Sequence, residues 1–285
     1  MLWQRVVTAL VLIPLVIGAL FYLSPVYLGL VMVAVVAIGG WEWARLACKP
    51  TRVHQGLFAA LFAVLTLAAL CLGGIVEDPP ALMARLLPLW QISALWWLVA
   101  VAGVLIFPRG RRVWRHRSAL SLAGLFTLIP FGAAVVAIAA FEQGTEPHLG
   151  PRLLLATMIV VWCADSGAYF AGRRFGKRKL SPAVSPGKTW EGFFGGMAAA
   201  LAAAMLAVVV LNLAPGGGWS FVGAACAAAV ISVFGDLSES MFKRMAGIKD
   251  SGRILPGHGG LLDRVDSLCA ALPIFALCYL WLGGL

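Results

Sequence analysis

The chain has 285 residues, 61% of them hydrophobic and only 12% charged, with a mean hydropathy of +0.93. A soluble domain carries about 25% charged residues, so the composition excludes one and describes a polytopic membrane protein. The formal net charge of +10 sits in short loops between apolar runs, which points to a membrane surface and its anionic lipids and argues against nucleic acid as a partner.

A helix needs about 20 apolar residues to cross a hydrocarbon core of roughly 30 Å. In chain order, the runs between charged or Pro/Gly breaks predict spans at 6–23, 26–44, 56–75, 86–107, 119–141, 152–171, 190–213, 219–235 and 267–284. The first could pass for a signal peptide. Pro14, Phe21 and Tyr22 stand where small cleavage-site residues would be needed, so it is read as a span. The expected fold is therefore all-α with about nine transmembrane helices. Of the 22 Lys and Arg residues, 20 fall on alternate loops, leaving Arg85 and Arg152 for the other side. That alternation predicts a cytoplasmic N-terminus and a C-terminus outside.

No strong repeat or linker divides the chain, but polar density does. Residues 1–150 hold the first five spans and short loops, including the basic RGRRVWRHR (Arg109 to Arg117), whose charge reads as a topology signal, with anionic lipid headgroups as the alternative partner. Residues 151–285 hold spans six to nine with long polar connections, and chemistry is expected there. The Ala/Gly-rich stretches Gly195 to Met205 and Gly223 to Ala229 suit close helix packing. The six Cys (48, 71, 163, 226, 269, 278) include no CxxC pair and read as small packing residues, not zinc ligands or a disulfide framework.

Three polar constellations interrupt the apolar background. Asp165 lies inside the sixth span, where a charge costs a few kcal/mol on insertion scales and so marks a polar cavity or an interhelical pair. Ser166 and Tyr169 add polar atoms nearby. The stretch SPGKT (Ser185 to Thr189) lacks the glycine spacing of a nucleotide phosphate loop. Read as a helix opening, it offers free N–H groups, Ser185 and the charge of Lys188 to an anion, against the alternative of an ordinary helix start. The third constellation runs from the end of the eighth span into the ninth. Asp236, Ser240 and Lys243 share a helix face, Asp263 and Asp266 are three residues apart at the mouth of the last helix, and His258 sits in a turn with Gly257, Gly259 and Gly260. His258 reads equally as a turn residue or hydrogen-bond donor. Carboxylates suit Mg²⁺ and basic groups suit phosphate oxygens; a loop held by mutual salt bridges is the alternative.

These residues also carry a resemblance. Ser240-x-Phe242-Lys243-Arg244, then four residues, Lys249-Asp250-x-Gly252, two residues, and Leu255-Pro256-x-His258-Gly259-Gly260-Leu261-x-Asp263-Arg264-Val265-Asp266 resembles the signature of the phosphatidate cytidylyltransferase (CDP-diacylglycerol synthase) family. CADSGAYFAGRRFGK and SPGKTWEG look similar to that family's as well, so the likeness spans roughly residues 160 to 270. It implies a Mg²⁺-dependent membrane enzyme, with a second cation left open and often dimeric, that transfers the cytidylyl group from CTP to phosphatidic acid. The phosphate monoester of the lipid would attack the α-phosphorus of CTP in line, with no covalent enzyme intermediate. Asp236 and Asp263 are the first choices for metal ligands, with Asp266 and Asp165 as further ligands or supports. Lys188, Lys243, Arg244, Lys249 and Arg264 would hold phosphates, Ser185 would add a hydrogen bond, and His258 joins Asp236, Asp263, Asp266 and Lys243 among the catalytic candidates. Short loops fit a bacterial inner membrane with the site facing the cytoplasm. A transporter using Asp165 and the C-terminal acids leaves the phosphate-binding inventory unexplained. A CDP-alcohol phosphotransferase would need a Gly and an Arg after Asp266, where Ser267, Leu268 and Cys269 stand.

Overall fold

The computed structural model describes residues 2–47, 51–142, 148–252, 254 and 259–284. Its helices are α1 (Leu2–Tyr22), α2 (Pro25–Ala47), α3 (Arg52–Leu72), the short α4 (Leu82–Arg85), α5 (Leu87–Ile106), α6 (Arg117–Ala139), α7 (Leu149–Phe175), α8 (Trp190–Val210), α9 (Pro215–Ala246) and α10 (Leu262–Trp281). Among the described residues, α2, α3 and α5 to α10 are eight helices long and apolar enough to cross a membrane. The first expected span coincides with α1, whose described apolar stretch is Leu10–Tyr22. The chain is thus an all-α, multi-span membrane protein, its hydrophobic runs having located each long helix.

Differences from the expected spans fall where polar residues sit on helices. The eighth span was expected to stop at 235, yet α9 continues through Asp236, Ser240 and Lys243 to Ala246. Charge ends a hydropathic run without ending a helix. What ends α9 is Gly247, at φ 71°, whose N–H closes on Arg244 while the Ile248 N–H donates to the Lys243 carbonyl at 3.0 Å. Likewise α10 starts at Leu262, ahead of the expected 267, so Asp263 and Asp266 lie within its first turns.

SPGKT does not open a helix. Ser185–Thr189 is a strand, β2, paired antiparallel with β1 (Lys179–Ser181). Helix α8 begins only at Trp190, capped by the Thr189 side chain, which accepts from the Gly192 N–H at 3.1 Å. Pro186 lacks an amide hydrogen and is tolerated because a two-stranded hairpin is all edge. Glu191 ties the hairpin down by accepting from the backbone N–H groups of Lys177 at 3.0 Å and Arg178 at 3.2 Å.

Helices α7 and α8 run against each other along the small-residue stretch. A Cβ on Gly196 would lie 2.6 Å from the Ala164 carbonyl oxygen, and one on Gly195 would overlap the Ala171 methyl. The backbones therefore touch, as small residues in membrane helices permit. Helix α9 packs along α10, and α6 is buried over most of its length at the centre. An aromatic cluster lies beneath the polar end: Phe242 of α9 meets Trp43 of α2 at 5.7 Å and Trp114 of the 3-10 segment Arg109–Arg115 at 5.4 Å, both edge-on. The basic loop is thus more than a topology signal, since Trp114 is buried in the core.

Candidate active site

The C-terminal ends of α7 and α9, the β1–β2 hairpin and the N-terminal ends of α8 and α10 surround a cleft of about 740 Å³. Small-molecule sites occupy roughly 300–1,000 Å³. Its walls carry Asp165 from α7, Ser185 and Lys188 from β2, Asp236 and Lys243 from α9, and Asp263, Arg264 and Asp266 from α10. Each of these was singled out in the sequence, and the fold gathers them from positions a hundred residues apart. Arg173 and Asp250 line the cleft as well. Arg244 and Lys249 are exposed and are not among the lining residues. His258 lies outside the described residues.

Two lysine–carboxylate pairs organise the floor. The Lys188 ammonium sits 2.8 Å from Asp236 Oδ2 and donates to the Val233 carbonyl at 3.3 Å. Strand β2 delivers this lysine across the cleft to α9, which a helix opening at Ser185 would not do. Ser240 donates to Asp236 Oδ1 at 3.3 Å, one helical turn away. In the second pair, Lys243 donates to Asp263 Oδ1 at 2.7 Å and lies 3.1 Å from the buried Glu239 on its own helix. An ammonium has three N–H donors, so each lysine has capacity for a ligand oxygen beyond these contacts.

Asp263 is the most heavily bonded acid of the site. Besides Lys243 on Oδ1, its Oδ2 accepts from the Gly260 N–H at 2.8 Å, the Ser251 N–H at 3.0 Å and the Ser251 hydroxyl at 3.1 Å. It pins the segment after α9 to the start of α10. Asp236 lies within electrostatic reach of both Asp165 and Asp266. Asp266 Oδ1 accepts from the Ser267 N–H at 2.8 Å.

Among the described residues, no three His, Cys, Asp or Glu side chains converge tightly enough to hold a metal by themselves. Mg²⁺ does not demand that. It keeps several waters and binds through one or two carboxylates together with substrate phosphates. Asp165, Asp236 and Asp266 supply oxygens of the right kind on the cleft walls, so the donor set fits such an ion.

Three participants escaped the sequence reading. Glu42 of α2 is buried and accepts from the Leu262 N–H at 2.9 Å, the Leu261 N–H at 3.1 Å and the Ser251 hydroxyl at 3.1 Å. Ser251 itself is fully buried, and Glu239 is buried beside Lys243. Glu42 had a legible signal: an acid near the end of the apolar run of the second span, which deserved the same physical suspicion as Asp165.

Comparison with known proteins extends the likeness beyond residues 160 to 270. The sequence model of the Cytidylyltransferase family matches residues 3–282. A phosphatidate cytidylyltransferase of Haemophilus influenzae is 42% identical over 284 residues, covering 98% of this chain and 99% of that protein. One from Pseudomonas aeruginosa is also 42% identical over 284 residues, covering 100% of this chain and 98% of its own. A Brucella suis protein of the same name is 36% identical over 286 residues, covering 98% and 93%.

Proposed function

The chain belongs to the cytidylyltransferase family, and on that premise we propose that the cleft transfers the cytidylyl group of CTP to phosphatidic acid, giving CDP-diacylglycerol and pyrophosphate. The chain is a nucleotidyltransferase of phospholipid biosynthesis and a bacterial multi-pass membrane protein. The observation that carries the site assignment is the pair of lysines, Lys188 and Lys243, each held against a carboxylate on the wall of one cleft.

The reaction brings a lipid phosphate monoester against a nucleotide triphosphate, so its first obstacle is repulsion between anions. Lys188, Lys243 and Arg264 meet that demand. The two ammonium groups hold their carboxylates and still present an N–H to phosphate oxygens, while Arg264 offers a planar fork. Ser185 adds a neutral donor from β2. In-line displacement at the α-phosphorus then depends on alignment, since the attacking oxygen already belongs to the substrate.

Asp236, together with Asp165 or Asp266, would hold Mg²⁺, which when bound would supply neutralisation of charge on the phosphate oxygens. Asp263 was the other first choice as a ligand, but its hydrogen bonds favour a different part: it fixes Lys243 and joins Ser251 to the first turn of α10. Arg244 and Lys249, outside the cleft lining, serve the approach of anionic substrates. A homodimer, which rests on the family resemblance, a second cation and a catalytic part for His258 belong to the same proposal.

Phosphatidic acid keeps its acyl chains in lipid while its headgroup reaches CTP, so we place the cleft at the cytoplasmic face of a bacterial inner membrane, with the N-terminus on that side and the C-terminus opposite. The distribution of basic residues supports this orientation. The test is conversion of phosphatidic acid by the purified, detergent-solubilised protein with CTP, with and without Mg²⁺. Metal-dependent CDP-diacylglycerol and pyrophosphate in equal amounts are expected. Folded protein that makes neither overturns the proposal.

A further inference from the structure

Glu42 lies in a socket formed by a part of the chain more than 200 residues away. Its two carboxylate oxygens divide three donors: Oε1 takes the Leu261 N–H, while Oε2 takes the Leu262 N–H and the Ser251 hydroxyl. The socket admits no larger neighbour. A Cβ on Gly260 would lie 2.6 Å from Glu42 Oε2, and one on Gly252 would overlap Oε1. From the next turn of α2, Arg45 donates to the Ser251 carbonyl at 2.6 Å, so a second side chain of the same helix grips the same residue.

These contacts have a direction. The first N–H groups of a helix have no partner within it, and α10 has no side-chain cap from its own Ncap residue, Leu261. Glu42 supplies the missing acceptors from another helix, with a negative charge where the helix dipole favours one. The Ser251 hydroxyl, 3.1 Å from both Glu42 Oε2 and Asp263 Oδ2, has a single proton to donate; with that proton on Glu42, the Ser251 N–H still holds Asp263 Oδ2 at 3.0 Å. Asp263 in turn holds Lys243 at 2.7 Å. An unbroken run of hydrogen bonds therefore leads from the N-terminal half into the cleft.

We infer that Glu42 is a positioning residue for the transfer reaction: it touches no cleft surface itself and sets the placement of Asp263 and Lys243 through Ser251 and the first turn of α10. The inference rests on the proposed cytidylyl transfer for its kinetic readout only. Glu42→Gln keeps the shape of the side chain and one acceptor oxygen; Glu42→Leu keeps similar bulk and no acceptor. Turnover with CTP and phosphatidic acid should fall by about tenfold in Glu42→Gln and further in Glu42→Leu. The KM for CTP should stay within about twofold of wild type, because no group that binds the nucleotide has been removed. Thr66→Ala, which deletes a buried hydroxyl in α3 bonded to the Phe62 carbonyl at 2.8 Å, should leave turnover per folded molecule unchanged.

Amide hydrogen exchange gives a readout that needs no activity. The Leu261 and Leu262 amides should exchange faster in both Glu42 variants, with the apolar helices still protected. A wild-type protein inactive with CTP would defeat the proposed function and leave this exchange result to judge the inference. Glu42 variants that turn over within twofold of wild type, or whose loss equals the fraction of unfolded protein, would overturn it, as would unchanged exchange at Leu261 and Leu262.

Discussion

Replacing Asp263 by Asn tests the arrangement of the floor most directly. The carboxylate faces donors on both sides: Lys243 on Oδ1, and the Gly260 N–H, Ser251 N–H and Ser251 hydroxyl on Oδ2. An amide has one acceptor oxygen. Turned toward Lys243, it puts its NH₂ against two backbone N–H groups; turned the other way, it keeps them and puts NH₂ against the ammonium. The second orientation costs less, because Lys243 retains Glu239 at 3.1 Å, and what is lost is one charge-assisted hydrogen bond of about 1.5–3 kcal/mol. If all of that loss falls on the transition state, turnover drops by about 10- to 150-fold. The assay is CDP-diacylglycerol formation at saturating CTP and phosphatidic acid, with size-exclusion behaviour and melting temperature reported beside it. A folded Asp263→Asn protein within threefold of wild type would refute the reasoning, and complete abolition would return Asp263 to the set of direct metal ligands.

Lys188→Met removes the cation of the other pair and leaves Asp236 with Ser240 as its remaining bonded partner among the contacts described above; kcat/KM for CTP should fall at least about tenfold, and steady-state kinetics will show it. Thr189→Ala deletes the cap of α8 and should lower stability by about 1 kcal/mol, read as an earlier thermal transition in detergent with turnover at low temperature largely kept. Gly196→Val forces a side chain toward the Ala164 carbonyl, where even a Cβ would come within 2.6 Å. Overpacking of this kind costs about 1–3 kcal/mol or more, so thermal inactivation should come markedly earlier, and an unchanged half-life would argue that α7 and α8 do not touch there.

Much of this architecture was legible because the bilayer imposes a simple rule on sequence. A run such as Leu87 to Ile106 must be helical to satisfy its backbone in lipid, and nothing else in the chain need be known to say so. The cleft residues were legible for a related reason: Asp165, Asp236 and Lys188 stand out against an apolar background. What stayed hidden was local competition and distant pairing. SPGKT contains Pro and Gly next to a helix, which reads as a helix start, yet Lys179 to Ser181 supplies a strand partner that only the folded chain reveals. Between Asp236 and Lys243 the polar residues alternate with Leu237, Met241 and Phe242, which stay buried on the inner face, so the helix continues past its first charge and a reading that stops there truncates α9. Glu42 and Ser251 carry no motif, and their partnership across 209 positions has no local spacing to betray it.

The seam between α7 and α8 has a mechanical consequence. Most side chains that wall a binding site must give up rotational freedom as a ligand settles, and each longer one costs up to about 2 kcal/mol when it does. Where Gly195 and Gly196 meet Ala164 and Ala171, the helix behind Asp165 rests on bare backbone, which has no rotamers to freeze and little room to recoil. That stiffness favours a reaction governed by alignment, because the wall is in place before any substrate arrives. It also makes the seam intolerant: a floppy contact absorbs a stray methyl group by rearranging, whereas two touching backbones answer it by moving apart, taking the spacing of the cleft with them.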